Sequence, residues 1–222
     1  MSDTYTGQAQ DRRYTGTDVD ITYNLKRCIH AEFCVKRLAQ VFDKQKRPWV
    51  DPNGASAEDV AAVNHLCPSG ALHYERKDGG SPEPVPETNT IIVWRDGPLQ
   101  FTADLSLNGA AVALATETRA TLCRCGASQN KPFCDNTHKD IGFSAHEVEP
   151  LQTRPELVQT GGRLTVTAQP DGPFEVEGNL EIRDEAGNTL YIGNKTALCR
   201  CGGSGRKPFC DGTHKTIGFK AE

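Results

Sequence analysis

Two stretches of the chain, TLCRCGASQNKPFCDNTHKDIGF at 121–143 and ALCRCGGSGRKPFCDGTHKTIGF at 197–219, agree at 17 of 23 aligned positions. Identity that dense marks a shared chemical task, because packing alone tolerates exchange among hydrophobic residues. Each copy offers C-x-C-x8-C-x3-H: Cys123, Cys125, Cys134 and His138, then Cys199, Cys201, Cys210 and His214. Four ligands suit a tetrahedral zinc ion as well as a 2Fe-2S cluster, so ligand number leaves both open. Spacing favours the cluster. Structural zinc sites use wider cysteine knuckles, whereas C-x-C puts two thiolates on opposite sides of an extended strand and leaves the remaining Cys and His as a separate pair. Two pairs suit two irons, and a structural disulfide is the weakest of the three readings.

The residues between the ligands fit a cradle for an anionic group. Gly126 and Gly202 allow close backbone approach, and Ser128 and Ser204 are expected to turn N–H and hydroxyl donors toward sulfur. Pro132 and Pro208 stiffen the approach to the third cysteine. Asp135 and Asp211, with Thr137 and Thr213, can cap a short helix carrying the histidine and support the ligands from behind. The likeness persists upstream as DGPLQFTADL (96–105) against DGPFEVEGNL (171–180), both alternating like strands that leave a turn. The chain therefore repeats with a period of about 76 residues, each repeat a few strands followed by a ligand loop.

Composition agrees with a metal-stapled molecule. Of 222 residues only 36% are hydrophobic and 7% aromatic, while 21 Gly and 13 Pro demand much turn and loop. Nine cysteines, an odd number with no secretory signal ahead of them, point to metal ligation in a reducing, cytoplasmic setting rather than to a disulfide framework. The N-terminal 16 residues are polar, with Asp3 and Asp11 beside Arg12 and Arg13, unlike a signal or transit peptide. No segment approaches the roughly 20 apolar residues of a membrane span, so no membrane partner is expected. A net charge of −4 without a basic cluster gives no footing for nucleic acid.

Before the first repeat, DGGSPEPVPET at 78–88 reads as a semi-rigid linker. The unit preceding it, 18–77, is expected to hold a strand near 21–25, a helix near 31–42, a second helix near 56–66 and a strand at 71–75. Ser56 is a good N-cap, and Val60, Val63 and Cys67 share one helix face. Cys28, Cys34 and the Cys67-Pro68 pair match a single-cluster ferredoxin pattern in which Ala31 stands where the middle cysteine belongs. Three cysteines can hold a 3Fe-4S cluster, or a 4Fe-4S cluster with an outside ligand; the plainer alternative is that they pack a small core. His30 is a weaker candidate for the fourth ligand than for a neighbour of the ligands. His65, His73 and His146 lack ligand spacing and read as surface or core, and Trp49 and Trp94 as anchors of small cores.

These motifs resemble known families. Cys199 to His214 meets in full the pattern C-x-C-x2-[ST]-x3-P-x-C-D-G-[STA]-H of the CDGSH iron-sulfur (mitoNEET-like) family, and the first copy departs from it only at Asn136, where the family has Gly. Asn tolerates the left-handed backbone better than other non-glycine residues, so the first site is expected to survive. The resemblance, over about 96–219, implies a 2Fe-2S cluster in each repeat, with the C-x-C thiolates on an inner iron and the third Cys plus His on an outer, more exposed one. It also implies that tandem motifs fold as an internal pseudo-dimer, since single-motif members pair as homodimers. CIHAEFC, VFD and CPSGAL, within 21–75, resemble the divergent mono-cluster ferredoxin domain and the 3Fe-4S ferredoxins.

The expectation is an α+β chain: a small ferredoxin-like domain (18–77), the linker (78–88), and two β-rich CDGSH modules (89–146 and 160–222) forming an intrachain pseudo-dimer in a monomer. It would carry two 2Fe-2S clusters and a 3Fe-4S or 4Fe-4S cluster. One neutral imidazole in place of a thiolate eases reduction, placing the potential roughly between −350 and 0 mV. The expected role is electron transfer with proton coupling at His138 and His214, serving redox partner proteins; the alternative is a cluster donor to apo iron-sulfur acceptors, an iron-handling protein or a redox sensor. No enzyme signature is evident.

Overall fold

The computed structural model describes residues 4–145, 159 and 161–221. His146, and the outer ends of the two expected modules at 146, 160 and 222, lie outside the described residues.

In the N-terminal unit, β1 (Arg12–Tyr14), β2 (Val19–Tyr23) and β3 (Leu72–Arg76) make an antiparallel sheet in that order. Of its two helices, α2 (Ala57–His65) packs on the sheet beside β3 and α1 (Phe33–Arg37) lies against α2. Ser56 caps α2 as expected, its Oγ accepting from Asp59 N at 3.1 Å, and Val60 and Val63 point into a core with Ile21, Val41 and Phe42. Trp49 completes that core, edge-on to Tyr14 and Tyr23. The first helix is shorter than expected. His30 and Glu32 sit at φ +55 and +64, so the helix starts only at Phe33, and Leu38 (φ −143) turns the chain out of it.

The C-terminal part is mostly β: β4 (Thr90–Val93), β5 (Leu99–Gly109), β6 (Val112–Leu122), β7 (Arg163–Ala168), β8 (Phe174–Asp184) and β9 (Thr189–Leu198), with the single helical turns α3 (Thr137–Asp140) and α4 (Thr213–Thr216). All six strands join one sheet in which β5 and β8 change partner midway along one edge. Along β5, 99–102 pair with β4 and 104–108 pair in parallel with β7 of the other repeat. Along β8, 174–177 pair with β7 and 181–184 pair in parallel with β4. Gly178 marks the switch in β8: at φ +124, a Cβ there would lie 2.4 Å from the Arg163 carbonyl oxygen. Alternation along β5 buries Leu99, Phe101, Ala103, Leu105 and Leu107 against Phe174, Val176, Leu180 and Ile182, so the two repeats share one apolar core. Among the described residues no helix is long and apolar enough to cross a membrane.

A buried network of charge holds the N-terminal unit on the first repeat. Arg27 pairs with Glu117 of β6 at 2.5 Å and donates to the carbonyls of Ser69 and Arg119. His73 of β3 lies between Glu83 of the linker (2.8 Å) and Glu117 (3.2 Å), and Arg119 closes the ring on Glu83 at 2.5 Å. Burial works against a charged His73, but the two carboxylates outweigh it and push its pKa up to about 9. Burial likewise opposes ionisation of Glu83, and its hydrogen bond from His73 and the charge of Arg119 overcome that, holding it down at about 2. His73 and Glu83 are thus both charged at neutral pH and paired, the condition under which buried charge is tolerated. His73, which sequence spacing leaves as an ordinary core or surface residue, is a linchpin between domains.

Candidate metal centres

Each ligand loop grows from the end of a long hairpin strand. β6 runs into Cys123 and β9 into Cys199, and the loop returns so that the third cysteine lies beside that strand end: Cys134 N donates to Thr121 O at 3.0 Å, and Cys210 N to Ala197 O at 2.9 Å. Bridges between Leu122 and Phe133, and between Leu198 and Phe209, lock the return. Lys131-Pro132 and Lys207-Pro208 are both cis peptides, and the Pro132 and Pro208 carbonyls accept from Cys123 N and Cys199 N. The single turns α3 and α4 then place the histidines.

The sulfurs and imidazoles come in pairs. Cys123 Sγ lies 3.6 Å from Cys125 Sγ, and Cys134 Sγ lies 3.5 Å from His138 Nδ1. In the second repeat the same distances are 3.8 Å (Cys199 to Cys201) and 3.4 Å (Cys210 to His214 Nδ1). All nine cysteines are free thiols, which removes the disulfide reading. Among the described residues no group of three or more His, Cys, Asp or Glu side chains is gathered as a site for one ion. Four donors arranged as two pairs fit a polynuclear iron-sulfur group better than a single tetrahedral zinc.

Electrostatics favour an anion there. Within each C-x-C pair one thiol donates to the other, so one sulfur ionises early: Cys125 falls to about 6 and Cys199 to about 6, while Cys123 and Cys201 are raised. The two thiols of a pair share one proton between them, so the feature common to both repeats is one readily formed thiolate per pair. Backbone N–H groups aim at the sulfurs from the following loop, among them Gly203 N to Cys201, Asn136 N to Cys134 and Gly212 N to Cys210, each at 3.4 Å. Burial pushes Cys134 up to about 11, and burial also lowers His138, keeping the imidazole neutral as a metal ligand must be.

The supporting residues act differently from expectation in one respect. The hydroxyls of Ser128 and Ser204 do not face sulfur; they donate to the carbonyls of Phe133 (2.7 Å) and Phe209 (2.6 Å) and brace the loop. The backbone N–H groups of Ser128 and Gly126 are what face Cys123. Asp135 and Asp211 tie loop to helix: one carboxylate oxygen of each accepts from Thr137 N or Thr213 N at 3.0 Å, the other from Gln129 N or Gly205 N at 2.8 Å. Arg124 and Arg200, unremarked as the middle residue of C-x-C, are fully buried, and Arg124 pins the 94–97 turn through the carbonyls of Gly97 and Trp94.

The two loops touch. Cys125 and Cys201 form an antiparallel bridge, and Gly126 and Gly202 stand at φ +82 and +78 where a Cβ would be 2.5 and 2.4 Å from the opposite cysteine's carbonyl oxygen. The sites differ in cover: His138 is 7% exposed, His214 half-buried. Asn136 takes φ +72 where Gly212 takes +90, so the one departure from the family pattern keeps the backbone shape.

In the N-terminal unit Cys28, Cys34 and Cys67 line a single cavity together with Ile29, Ala31 and Pro68. Ala31, at the place of the missing cysteine, faces the same space. Burial raises Cys28, and pushes Cys34 up to about 11. His30 is exposed, its Nδ1 3.9 Å from Cys28 Sγ, and it borders an outer cavity that Cys28 and Cys34 also line, not the inner one that these two share with Cys67. His65 shares a hydrogen bond of 3.0 Å with Tyr74 OH.

Known families match the same three stretches of the chain. The family described as "Divergent 4Fe-4S mono-cluster" matches residues 14–77, and the family described as "Iron-binding zinc finger CDGSH type" matches twice, at 96–139 and 171–215. The uncharacterized protein YjdI of Escherichia coli, in strain K12 and in O157:H7, is 36% identical over 66 residues, covering 30% of this chain and 87% of the relative. The chain thus belongs to the iron-sulfur proteins of the CDGSH type, with two such motifs in tandem behind a divergent 4Fe-4S mono-cluster domain shared with YjdI.

Proposed function

We propose that this protein is an electron carrier with three metal centres, not an enzyme. Cys123, Cys125, Cys134 and His138 would hold one 2Fe-2S cluster, Cys199, Cys201, Cys210 and His214 a second, and Cys28, Cys34 and Cys67 a 4Fe-4S or 3Fe-4S cluster. When bound, such clusters supply one-electron couples whose potential rises when an imidazole replaces a thiolate. The observation that carries the reading is the contact of Cys125 with Cys201, which brings two ligand loops together on one shared core. That core, built from strands exchanged between repeats, also supports reading the modules as an internal pseudo-dimer within a monomer.

The chain's own residues set the conditions for transfer. Backbone N–H groups stabilise charge on sulfur, burial keeps water from Cys123, Cys134 and Cys199, and His138 and His214 offer Nδ1 to the metal side, leaving Nε2 as the atom where a proton would accompany an electron. Nine free thiols suit a reducing compartment such as the cytoplasm. The partners would be redox proteins. A second reading, donation of a cluster to apo-proteins, is favoured by one observation, the greater exposure of the second repeat's His214. Potentiometric titration followed by electron paramagnetic resonance tests the first reading, which requires reversible one-electron couples. Mixing the oxidised and the reduced holoprotein with an apo-ferredoxin tests the second, which requires transfer from the oxidised form.

A further inference from the structure

The two motifs differ at six of their 23 positions, and three of those six make side-chain hydrogen bonds from the first motif to the N-terminal unit. Thr121 Oγ1 donates to Pro68 O at 3.0 Å, Asn136 Nδ2 donates to Ile29 O at 2.8 Å, and Asn130 Nδ2 donates to Lys26 O. The second motif has Ala197, Gly212 and Arg206 at these places. Two of the three accepting carbonyls belong to the residue directly after a cysteine of the N-terminal cavity: Ile29 follows Cys28, and Pro68 follows Cys67. Two of the donor residues, Asn136 and Thr121, are also bonded to a ligand of the first repeat. Asn136 also gives its backbone N–H to Cys134 Sγ at 3.4 Å, and Thr121 gives its carbonyl to Cys134 N at 3.0 Å.

We propose that Asn136 and Thr121 couple the N-terminal cysteine site to the first repeat, so that an electron accepted at one site passes to the other within the chain. The shorter route runs from Cys28 through its peptide to Ile29 O, across 2.8 Å to Asn136, and across 3.4 Å to Cys134. The second runs from Cys67 to Pro68 O, across 3.0 Å to Thr121, and along two peptides to Cys123. Ile29, Pro68 and Thr121 are buried, so protein atoms rather than water fill the gap. The exchange is balanced in itself: one site loses one electron, the other gains it, and the reductant that starts it is a one-electron donor. Asn136 and Thr121 are positioning residues, since each acts through a neighbouring ligand. The inference rests on the electron-carrier reading of the same sites.

The test uses the loaded full-length protein, reduced substoichiometrically by a flash of photoreduced flavin and followed by visible absorbance and by the separate paramagnetic signals of frozen samples. Wild type is expected to redistribute the electron between the N-terminal and first-repeat sites at a rate independent of protein concentration. Thr121→Ala with Asn136→Gly, which installs the second motif's own residues, should slow that step by about tenfold or more. Asn130→Ala, which loosens docking without touching a route, should change it by less than about twofold. Iron and sulfide content are measured on each variant, and if the double variant loads poorly, Asn136→Gly alone is compared with Asn130→Ala in its place. A double variant as fast as wild type, an Asn130→Ala variant as slow as the double, or a concentration-dependent rate would overturn the proposal while leaving the carrier reading intact. Sites that take up no electron at all would overturn both.

Discussion

Cys125 and Cys201 face each other in an antiparallel bridge, so the ligand loops of the two repeats meet backbone to backbone at their second cysteines. The glycines that follow make this approach feasible. An alanine at 126 would need both a left-handed backbone and room that the Cys201 carbonyl occupies at 2.5 Å. Gly142, at φ +60 with nothing within 4 Å, isolates the first of these effects. Gly142→Ala should cost about 1 kcal/mol. Gly126→Ala should cost at least about twice that, with iron lost from both repeats rather than one. Denaturant midpoints and metal analysis of the two variants check the contrast; equal behaviour would mean that the seam can spread at no cost.

The Arg27, Glu117, His73, Glu83 and Arg119 network should set the pH range in which the domains stay docked. His73 faces Glu83, Glu117 and, at 3.5 Å, the Arg119 guanidinium. Its pKa rises on folding from 6.5 to about 9, so its contribution is complete below about 6.5 and lost as pH climbs through 9. Glu83 falls to about 2, so its contribution is complete above about 4.5 and disappears as pH drops toward 2. Docking is therefore strongest between about pH 4.5 and 6.5. His73→Gln should abolish the alkaline loss, which is about 3 kcal/mol at most between pH 6 and 10. Glu117→Gln, which strands Arg27, should cost about 3–5 kcal/mol at neutral pH. Urea unfolding of the three proteins across this range is the measurement, and a His73→Gln curve that parallels wild type would remove the imidazole from the network.

Local signals in the chain announced the ligand loops and little of what surrounds them. C-x-C, the invariant Pro before the third cysteine and the Asp-x-Thr-His turn lie within 16 residues, close enough for spacing to carry the chemistry. Ser56, Val60 and Val63 likewise gave α2 almost to the residue. The exchange of partners along β5 and β8 left no comparable trace, because alternation tells which side of a strand is buried and not which neighbour it meets. His73 and Glu83 were illegible for the same reason: their meaning arises only where β3, the linker and β6 converge. Proximity in sequence points the hydroxyls of Ser128 and Ser204 at sulfur, but in the fold they donate to the carbonyls of Phe133 and Phe209.

The single imidazole in each repeat should govern acid sensitivity. A proton competes with iron for Nδ1, and more readily where the ring meets solvent. Because His138 is 7% exposed and His214 half-buried, visible absorbance at low pH should fade in two phases, the faster one from the second repeat. His214→Cys should remove the fast phase and His138→Cys the slow one. A wild-type decay with one phase, or variants that bleach at the wild-type rate, would detach the histidines from the metal.

Ala31 lines the same cavity as Cys28, Cys34 and Cys67, at the place where a four-cysteine pattern has its second ligand. A cluster held there by three thiolates has one iron without a cysteine, and that iron should leave first under oxidation. On treatment with ferricyanide the wild type should lose about one iron per chain and develop the signal of an oxidised 3Fe-4S centre. Ala31→Cys supplies a fourth thiolate facing the vacancy, so the variant should retain four irons under the same treatment and stay silent in that spectral window. The second CDGSH site serves as internal reference, since none of its ligands lines the cavity. Should Ala31→Cys develop the same signal as wild type, residue 31 is not directed at the metal, and the three cysteines hold a centre organised differently from the ferredoxin pattern they follow.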